Sequence, residues 1–234
     1  MQTTLPILIC AYNEQRNIAE LVKNLSQLNY RGKLPQIFVV DDGSTDNTAI
    51  TAQQSGAKVL KLPKNLGKAS AFFYGLKEFI LTDNYPKFIS LDADLDTVTQ
   101  EQIQKLRNPI QDVNREISMT IGSVCGAIST LSGQRAYRTQ ALMPLINDSR
   151  YNSLLNQESQ IRIGYGLEVL LNFVVCGFTE PIVYPRPPKE IEFVETNFQC
   201  ITGFGTTQAH HKLKAPKEVE QTKKLCLAIR QDKK

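Results

Sequence analysis

The sequence predicts an α/β fold in which a central, mostly parallel sheet is flanked by helices. Short apolar runs alternate with segments of helical periodicity through the first half of the 234-residue chain. Strands that are separated by helices of this length are expected to pair in parallel through crossover connections. The runs are continuously apolar, as strands that are covered on both faces should be.

The first half of the chain shows the alternation most clearly. Four strands are predicted, at 5–10, 36–42, 58–62 and 87–94. Three helices are predicted between them, at 14–28, 44–56 and 67–81. The first helix has apolar residues at helical spacing, namely Ile18, Leu21, Val22, Leu25 and Leu28.

The second half of the chain is less regular. A strand is predicted at 115–124, a strand followed by a helix at 130–146, and a helix at 164–176. Strand and loop follow at 180–195, where a cluster of prolines excludes a helix. A basic segment with a rough helical stripe occupies 216–234.

Composition excludes several classes of protein. The formal charge of +4 is too small to predict nucleic-acid binding, although it suits an anionic substrate or a membrane surface. Five scattered cysteines without C-x-x-C pairs indicate a reducing compartment, so we expect a cytoplasmic protein. The start "MQTTLPILIC" lacks the basic region of a signal peptide, and the longest apolar stretch is too short to span a membrane.

Polar clusters follow each of the first four predicted strands. They read "AYNE", "DDGSTD", "PKNLGKA" and "DADLD" in chain order. In open parallel sheets, ligands bind outside the carboxyl ends of the strands. The sequence therefore predicts that these four clusters share one ligand site.

Asp41 and Lys68 are the first candidate ligand-binding residues. Asp41 ends an apolar strand, where a carboxylate needs a partner and can accept hydrogen bonds from a base N–H or a ribose hydroxyl. Part of this segment also reads as a turn with a helix cap. Lys68 opens a predicted helix and opposes the helix dipole, so it either faces an anion such as a diphosphate or is a solvated lysine.

Asp92 and Asp94 are the candidate metal-site residues. By strand period they share one side of the chain, with Ala93 on the other side, and Asp96 joins them only if the strand continues. Two carboxylates this close raise each other's pKa. A divalent cation removes the conflict, because Mg²⁺ or Mn²⁺ typically takes one or two carboxylates plus phosphate oxygens. The chain has neither the P-loop nor the dinucleotide-binding glycine motif.

Four motifs together carry a family resemblance. In this order and spacing, "ILICAYNEQRNI", "VVDDGSTDNT", "NLGKASA" and "ISLDADL" resemble inverting family-2 glycosyltransferases with the GT-A fold, a Rossmann-like sheet with a smaller mixed acceptor-side region. "LSGQRAYR" and "GYGLEVLLN" are similar to segments of soluble or dolichyl-phosphate-sugar-synthase-like members. The resemblance implies one domain at 1–212, with a nucleotide-sugar half at 1–98 and an acceptor half at 99–212, and a basic tail at 213–234.

The resemblance also implies a UDP- or GDP-sugar donor and Mg²⁺ or Mn²⁺ bound at a D-x-D motif. Asp94 is then both a catalytic residue and a metal ligand. The second metal ligand is His211 or, as the alternative, His210. The residues implied to bind the nucleotide sugar are Ala11, Tyr12, Glu14, Asp41, Lys68, Asp92 and Ala93, with Tyr12, Glu14 and Asp41 at the base and ribose.

On the acceptor side, the resemblance implies roles for Gly133, Arg135 and Glu168. Glu168 is either the general base for a hydroxyl acceptor or a group that orients an acceptor that is already anionic. Arg135 and Arg138 are candidates to pair with an acceptor phosphate or carboxylate. The acceptor itself is left open between a phosphorylated lipid, a small acid and a glycan.

Peripheral membrane contact through 217–234 is one expectation, and a helix packed on its own domain is the other. Two alternative functions remain at this point. One is a catalytically silent relative that binds a nucleotide sugar. The other is a sugar nucleotidyltransferase, which "ICAYNE" disfavours because it has no glycine-rich basic loop.

Overall fold

The computed structural model describes residues 5–29, 32–124, 132–147, 167–176 and 191–198, together with residues 220, 222 and 224. The strands in these ranges are β1 (Pro6–Ala11), β2 (Gln36–Asp41), β3 (Lys58–Lys61), β4 (Lys87–Asp92), β5 (Met119–Val124), β6 (Arg135–Arg138) and β7 (Ile191–Phe198). The helices are α1 (Ile18–Ser26), α2 (Thr48–Gln54), α3 (Lys68–Gly75), α4 (Gln100–Gln111), α5 (Met143–Asn147) and α6 (Leu167–Cys176). A π-helical turn (Leu76–Leu81) continues α3, and a 3₁₀ turn (Thr139–Leu142) precedes α5.

All seven described strands form one sheet in the order β3-β2-β1-β4-β6-β5-β7. The first four pair in parallel, as does β5 with β7, whereas β6 runs antiparallel to both β4 and β5. The predicted α/β fold with a mostly parallel sheet is therefore confirmed. The reversal at β6 has a consequence for the site, because it places the beginning of β6 beside the carboxyl end of β4.

The sheet is covered on both faces, which explains its continuously apolar strands. Successive side chains of a strand point to opposite faces. In β1, Leu8 joins a core with Phe72 of α3 and Leu170 of α6. Its neighbour Ile9 joins a second core on the other face, with Leu21 of α1. The helices that carry site residues are thereby fixed to the sheet by apolar packing.

The structure corrects the sequence prediction at two elements. Helix α4 was not predicted, although Thr99 and Gln102 form a capping box at its start. The strand predicted at 87–94 ends at Asp92, and the next two residues form a turn. The helix predicted at 67–81 is present, with its last six residues in π-helical form.

The remaining expectations concern the second half of the chain and its membrane contact. The strand-to-helix unit predicted at 130–146 is confirmed for its described part, as β6, the 3₁₀ turn and α5. The tail at 213–234 lies outside the described residues except for residues 220, 222 and 224. Within the described ranges, none of the helices has the length and apolar character needed to cross a membrane.

Candidate active site

The loops that follow β1 and β2 are joined by hydrogen bonds. Asn13 adopts a positive φ of 57°, and its backbone N–H donates to Ser44 Oγ at 2.9 Å. In return, the Thr45 N–H donates to Asn13 Oδ1 at 2.9 Å. The Glu14 N–H donates to Thr48 Oγ1 at 2.8 Å. The loops that carry the "AYNE" and "DDGS" clusters are therefore tied together by hydrogen bonds.

Asp41 is completely buried at the end of β2 and has one oxygen without a hydrogen bond. Its Oδ1 accepts from the Ser44 N–H at 2.9 Å. Its Oδ2 lacks a hydrogen-bond donor and lies 3.8 Å from the Lys61 ammonium, which is largely exposed. Buried polar atoms are nearly always hydrogen-bonded, so this oxygen fits a ligand that brings a donor. Gly43 turns the chain here at a φ of +69°, where any Cβ would overlap the Lys64 backbone.

Asp42 is a site residue that the sequence reasoning missed. Its two oxygens accept hydrogen bonds from the Leu66 and Gly67 N–H groups, each at 2.8 Å. These bonds hold the loop that leads into α3 and thereby set the position of Lys68. Its own N–H donates to the carbonyl of Ala11 at 2.8 Å. No local signal marks a loop 24 residues further along the chain as its partner.

Lys68 is the centre of the site. Its Nζ lies 2.7 Å from Asp92 Oδ1 and 2.8 Å from Glu168 Oε1. Glu168 is buried in the first turn of α6, one hundred residues away in sequence. An anionic partner is predicted for Lys68, and within the protein that partner is this pair of carboxylates. The contact joins the predicted nucleotide-sugar half to the predicted acceptor half.

The ion pairs shift the pKa values of their members. Burial disfavours the charged form of Lys68, but the carboxylates of Asp92 and Glu168 outweigh it and raise the pKa of Lys68 well above its ordinary value. Burial alone would raise the pKa of Asp92, but the neighbouring ammonium of Lys68 holds it below its usual range. Asp92 is thus a carboxylate at neutral pH without any metal ion.

Asp92 is also held on its other side by residues of the turn before β6. Gln134 Nε2 donates to Asp92 Oδ2 at 2.7 Å, and the Asp92 N–H donates to Gln134 Oε1 at 2.9 Å. Gly133 packs directly against the carboxylate, so that a Cβ at this position would overlap both oxygens. Gly133 was predicted on the acceptor side, and it lines the small cavity that contains both Asp92 and Glu168. Gln134 was not predicted at all.

Asp94 lies in the turn after β4 and is half-buried. The strand period predicted it on the same side as Asp92, but that period does not extend to Asp94, because β4 ends at Asp92. Ala93 between them is buried, and Asp96 is exposed. The pKa of Glu14 is raised, first by its burial and then by nearby carboxylates, of which Asp94 contributes most. An acidic region therefore extends from "AYNE" to "DADLD".

This acidic region fits a divalent cation that brings its own phosphate ligands. Within the described part of the chain, no three His, Cys, Asp or Glu side chains are arranged to hold a metal ion. Mg²⁺ commonly uses one or two carboxylates and takes its remaining ligands from water and substrate phosphates. Asp94 is the candidate for such a carboxylate. His211 and its alternative His210 lie outside the described residues.

The two arginines predicted near the acceptor differ in their surroundings. Arg135 is completely buried, and its guanidinium donates to Asn172 Oδ1 at 2.7 Å and to the Ser132 carbonyl at 2.6 Å. It connects β6 to α6, and it lines the same small cavity as Asp92 and Glu168. Arg138 donates to the carbonyls of Asp112 and Arg115 beyond the end of α4, near the amino end of β4 and away from the site.

Tyr12 is the most accessible of the predicted nucleotide-binding side chains, with 43% of its surface exposed. Of the residues predicted to bind the nucleotide sugar, the structure brings Tyr12, Glu14 and Asp41 to the loops after β1 and β2. It brings Lys68 and Asp92 together through an ion pair. Asp92 pairs in register with Cys10 of β1, so both groups lie at one edge of the sheet.

Comparison with known proteins gives a family match and a fold match. Residues 7–166, which are more than two thirds of the chain, match the model described as Glycosyl transferase family 2. A crystal structure of glucosyl-3-phosphoglycerate synthase from Mycobacterium tuberculosis with Mn²⁺, UDP and phosphoglyceric acid superposes with a TM-score of 0.69 at 20% identity, over 95% of this chain and 78% of that one. The same enzyme is also known with Mg²⁺ and UDP.

Curated relatives match over shorter segments. A Methanocaldococcus jannaschii protein of uncharacterised function is 31% identical over 115 residues, which are 47% of this chain and 48% of that protein. The undecaprenyl-phosphate 4-deoxy-4-formamido-L-arabinose transferase of Edwardsiella ictaluri is 34% identical over 102 residues, 41% of this chain and 30% of that protein. The chain thus spans less than half the length of the curated relatives that it matches.

Proposed function

The chain belongs to glycosyl transferase family 2, and on that premise we propose that it transfers a sugar from a UDP-sugar to an acceptor nucleophile with inversion at the anomeric carbon. The observation that carries this proposal is the ion-paired group at the sheet edge. Lys68 joins Asp92, at the end of a nucleotide-half strand, to Glu168 of the acceptor half. The presence of UDP in the M. tuberculosis complexes supports UDP over GDP as the donor nucleotide.

Asp41 and Tyr12 are assigned to the nucleoside. The buried Oδ2 of Asp41 lacks a hydrogen-bond donor, and a base N–H or a ribose hydroxyl supplies one. The exposed ring of Tyr12 offers an apolar surface for the base. Glu14, assigned to the base and ribose with them, is held by the Asn17 amide, which donates to its Oε2 at 2.8 Å.

Asp94 is assigned to the divalent cation, together with phosphate oxygens of the donor and with His211 or its alternative His210. When bound, Mg²⁺ or Mn²⁺ neutralises negative charge on the nucleoside diphosphate that leaves. Lys68 stands at the first residue of α3, where its ammonium and the helix N-terminus both favour an anion. Lys68 therefore donates to the diphosphate, at the expense of its present bonds to carboxylates.

Glu168 is assigned to the acceptor. When the acceptor is a hydroxyl, the Glu168 carboxylate takes its proton as the oxygen attacks the anomeric carbon. When the acceptor is a phosphate, which is already anionic, Glu168 orients it instead. The names of the E. ictaluri relative and of the M. tuberculosis complexes both include phosphorylated compounds. Phosphate-bearing acceptors are therefore the first class to test.

A thermal-shift panel of UDP- and GDP-sugars with and without Mn²⁺ tests the donor and the metal together, because selective ligands raise apparent stability. We expect a UDP-sugar to raise the melting temperature only when Mn²⁺ is present. Asp94→Asn should abolish this shift, whereas the matched variant Asp96→Asn, at an exposed aspartate two residues away, should retain it. No Mn²⁺-linked shift with any donor would contradict the proposal.

Release of UDP in the presence of candidate acceptors tests transfer. With a hydroxyl acceptor, Glu168→Gln should slow turnover by about 10²-fold or more if Glu168 is the base. With a phosphate acceptor, the same substitution should raise KM and change kcat less. Binding of a UDP-sugar without turnover on any acceptor would favour the catalytically silent alternative.

A further inference from the structure

We propose that Gln134 is a positioning residue that holds the Asp92 carboxylate in one orientation for the donor. The inference rests on the proposed function, because Asp92 is assigned there to the nucleotide-sugar site. Gln134 is 1% exposed and lies in the turn before β6, forty-two residues from Asp92 in sequence. Nothing in the local sequence connects the two residues.

The Gln134 amide contacts Asp92 at two points. Its Nε2 donates to Asp92 Oδ2 at 2.7 Å, and its Oε1 accepts from the Asp92 N–H at 2.9 Å. One side-chain amide therefore fixes both the backbone at the end of β4 and the carboxylate of the same residue. The backbone hydrogen bond fixes the amide, and the amide in turn holds Oδ2 of the carboxylate in one direction.

The backbone around Gln134 is itself fixed. The Gln134 carbonyl accepts from the Gly122 N–H of β5 at 2.9 Å, and the preceding Gly133 carbonyl accepts from Ser90 Oγ of β4 at 3.0 Å. Gly133 has no room for a Cβ beside the Asp92 oxygens. The turn thus forms a closely fitting wall against the carboxylate, supported from two neighbouring strands. A site is held in register when its supporting residues are themselves locked in this way.

The contact between Gln134 and Asp92, which we call the clamp, indicates positioning of the carboxylate and not compensation of its charge. Lys68 already supplies the positive charge at Oδ1 of Asp92. Gln134 is neutral, so it orients Asp92 without reducing its charge further. A carboxylate has about four lone-pair sites, and these two partners occupy two of them. When Lys68 turns to the diphosphate, as proposed above, Gln134 still holds Oδ2, and the Oδ1 that Lys68 leaves then accepts from a hydroxyl of the nucleotide sugar.

Three variants separate this role from a purely structural one. Gln134→Met removes both hydrogen bonds at similar volume. Gln134→Glu keeps the acceptor for the Asp92 N–H but replaces the donor to Oδ2 with a second carboxylate oxygen. The double variant Gln134→Glu with Asp92→Asn reverses the pair, because the amide introduced on β4 then donates to the carboxylate introduced in the turn before β6. Gln140→Glu, at an exposed glutamine in the following 3₁₀ turn, is the matched control.

The first measurement is the affinity for UDP with Mn²⁺ by titration calorimetry at pH 8. We expect Gln134→Met and Gln134→Glu each to weaken binding at least about tenfold, which corresponds to about 1.4 kcal/mol. Gln140→Glu should bind as the wild type does. If the glutamate variant keeps the backbone bond, folds and binds UDP with wild-type affinity, Gln134 serves structure alone and the inference is wrong.

The second measurement is a thermal double-mutant cycle without any ligand. We expect the reversed pair to melt at a higher temperature than the sum of the single losses predicts, while its UDP affinity stays low. If the two single losses of melting temperature simply add up in the double variant, the proposed contact between Gln134 and Asp92 is refuted. The cycle needs no ligand, so its result does not depend on which donor the protein uses. If the wild type binds no UDP, the proposed function is refuted. The melting temperatures of the cycle then still show whether Gln134 holds Asp92. If Gln134→Glu does not fold alone, a reversed pair that folds supports the clamp, and one that also fails to fold overturns it.

Discussion

Replacing Lys68 with methionine tests the ion-paired group most directly. The substitution removes the ammonium but keeps a side chain of similar length, and it leaves Asp92 and Glu168 facing each other. Their nearest oxygens would then be at most 5.5 Å apart, the sum of the 2.7 Å and 2.8 Å distances that join them to Nζ. At an effective dielectric constant of about 20, two unit charges at that separation repel by about 3 kcal/mol.

The net loss of stability should be smaller than this repulsion. The Lys68 side chain is 37% exposed, so water screens part of the interaction. Exposed ion pairs contribute below about 1 kcal/mol, whereas breaking a buried pair costs about 3–5 kcal/mol. We expect Lys68→Met to lose about 2 kcal/mol at pH 8, which lowers the melting temperature of a chain this size by roughly 4–8 °C. Lys64→Met, at an exposed lysine of the same loop, is the control.

The pH dependence of the loss distinguishes electrostatics from packing. In the wild type, the pKa of Asp92 is lowered, so its contribution is present above the unfolded pKa of about 3.9 and is lost as pH falls through the folded pKa. In the variant, the nearby Glu168 carboxylate raises the pKa of Asp92. Stability is then lost as pH rises through that raised value, so the penalty should grow between about pH 4 and pH 7. Equal thermal losses at pH 5 and pH 8 would refute this reasoning.

Three further predictions concern separate parts of the site and fold. Asp41→Asn should weaken UDP binding by roughly tenfold or more without lowering the melting temperature, because its Oδ2 makes no hydrogen bond inside the protein. Calorimetry measures the UDP affinity and a thermal melt measures the stability. A destabilised variant would show that the charge is needed for folding. Gly43→Ala should lower the free energy of unfolding in urea by about 3 kcal/mol, through backbone strain and overlap with the Lys64 backbone. Gly56→Ala, at a φ of +103° with open space, should lower it by about 1 kcal/mol from strain alone. Equal losses would show that the overlap at Gly43 has no energetic effect. Thr99→Ala should cost about 1 kcal/mol by the same assay, because it breaks the capping box of α4; a loss below about 0.3 kcal/mol would show that tertiary packing alone holds the start of this helix.

Much of the nucleotide-half fold was predictable because its signals are local. Apolar runs of strand length alternate with helical stripes, and this pattern alone predicts parallel strands with a ligand edge. The "DDGS" cluster was recognisable because Gly43 and Asp41 lie within three residues of each other in the chain. Helix α4 was missed although its capping box, Thr99 with Gln102, is a readable local signal.

The acceptor-side contacts were not predictable in the same way. Arg135 was expected to face an acceptor, because an arginine fork suits a phosphate or a carboxylate. The structure buries it instead, because β6 inserts next to β4 and brings the Arg135 guanidinium against α6. Gln134 has no sequence signature at all, since an amide gains its role only from the carboxylate that the sheet places beside it.

The sequence by itself determined which chemical groups stand at the ends of the strands, because strand period and turn chemistry act over a few residues. It identified Asp41, Lys68 and Asp92 as groups of one ligand edge. Only the tertiary structure decided the partner of each group. Lys68 meets Glu168, and Asp92 meets Gln134, through the order and direction of strands in the sheet, which depend on packing between segments far apart in the chain.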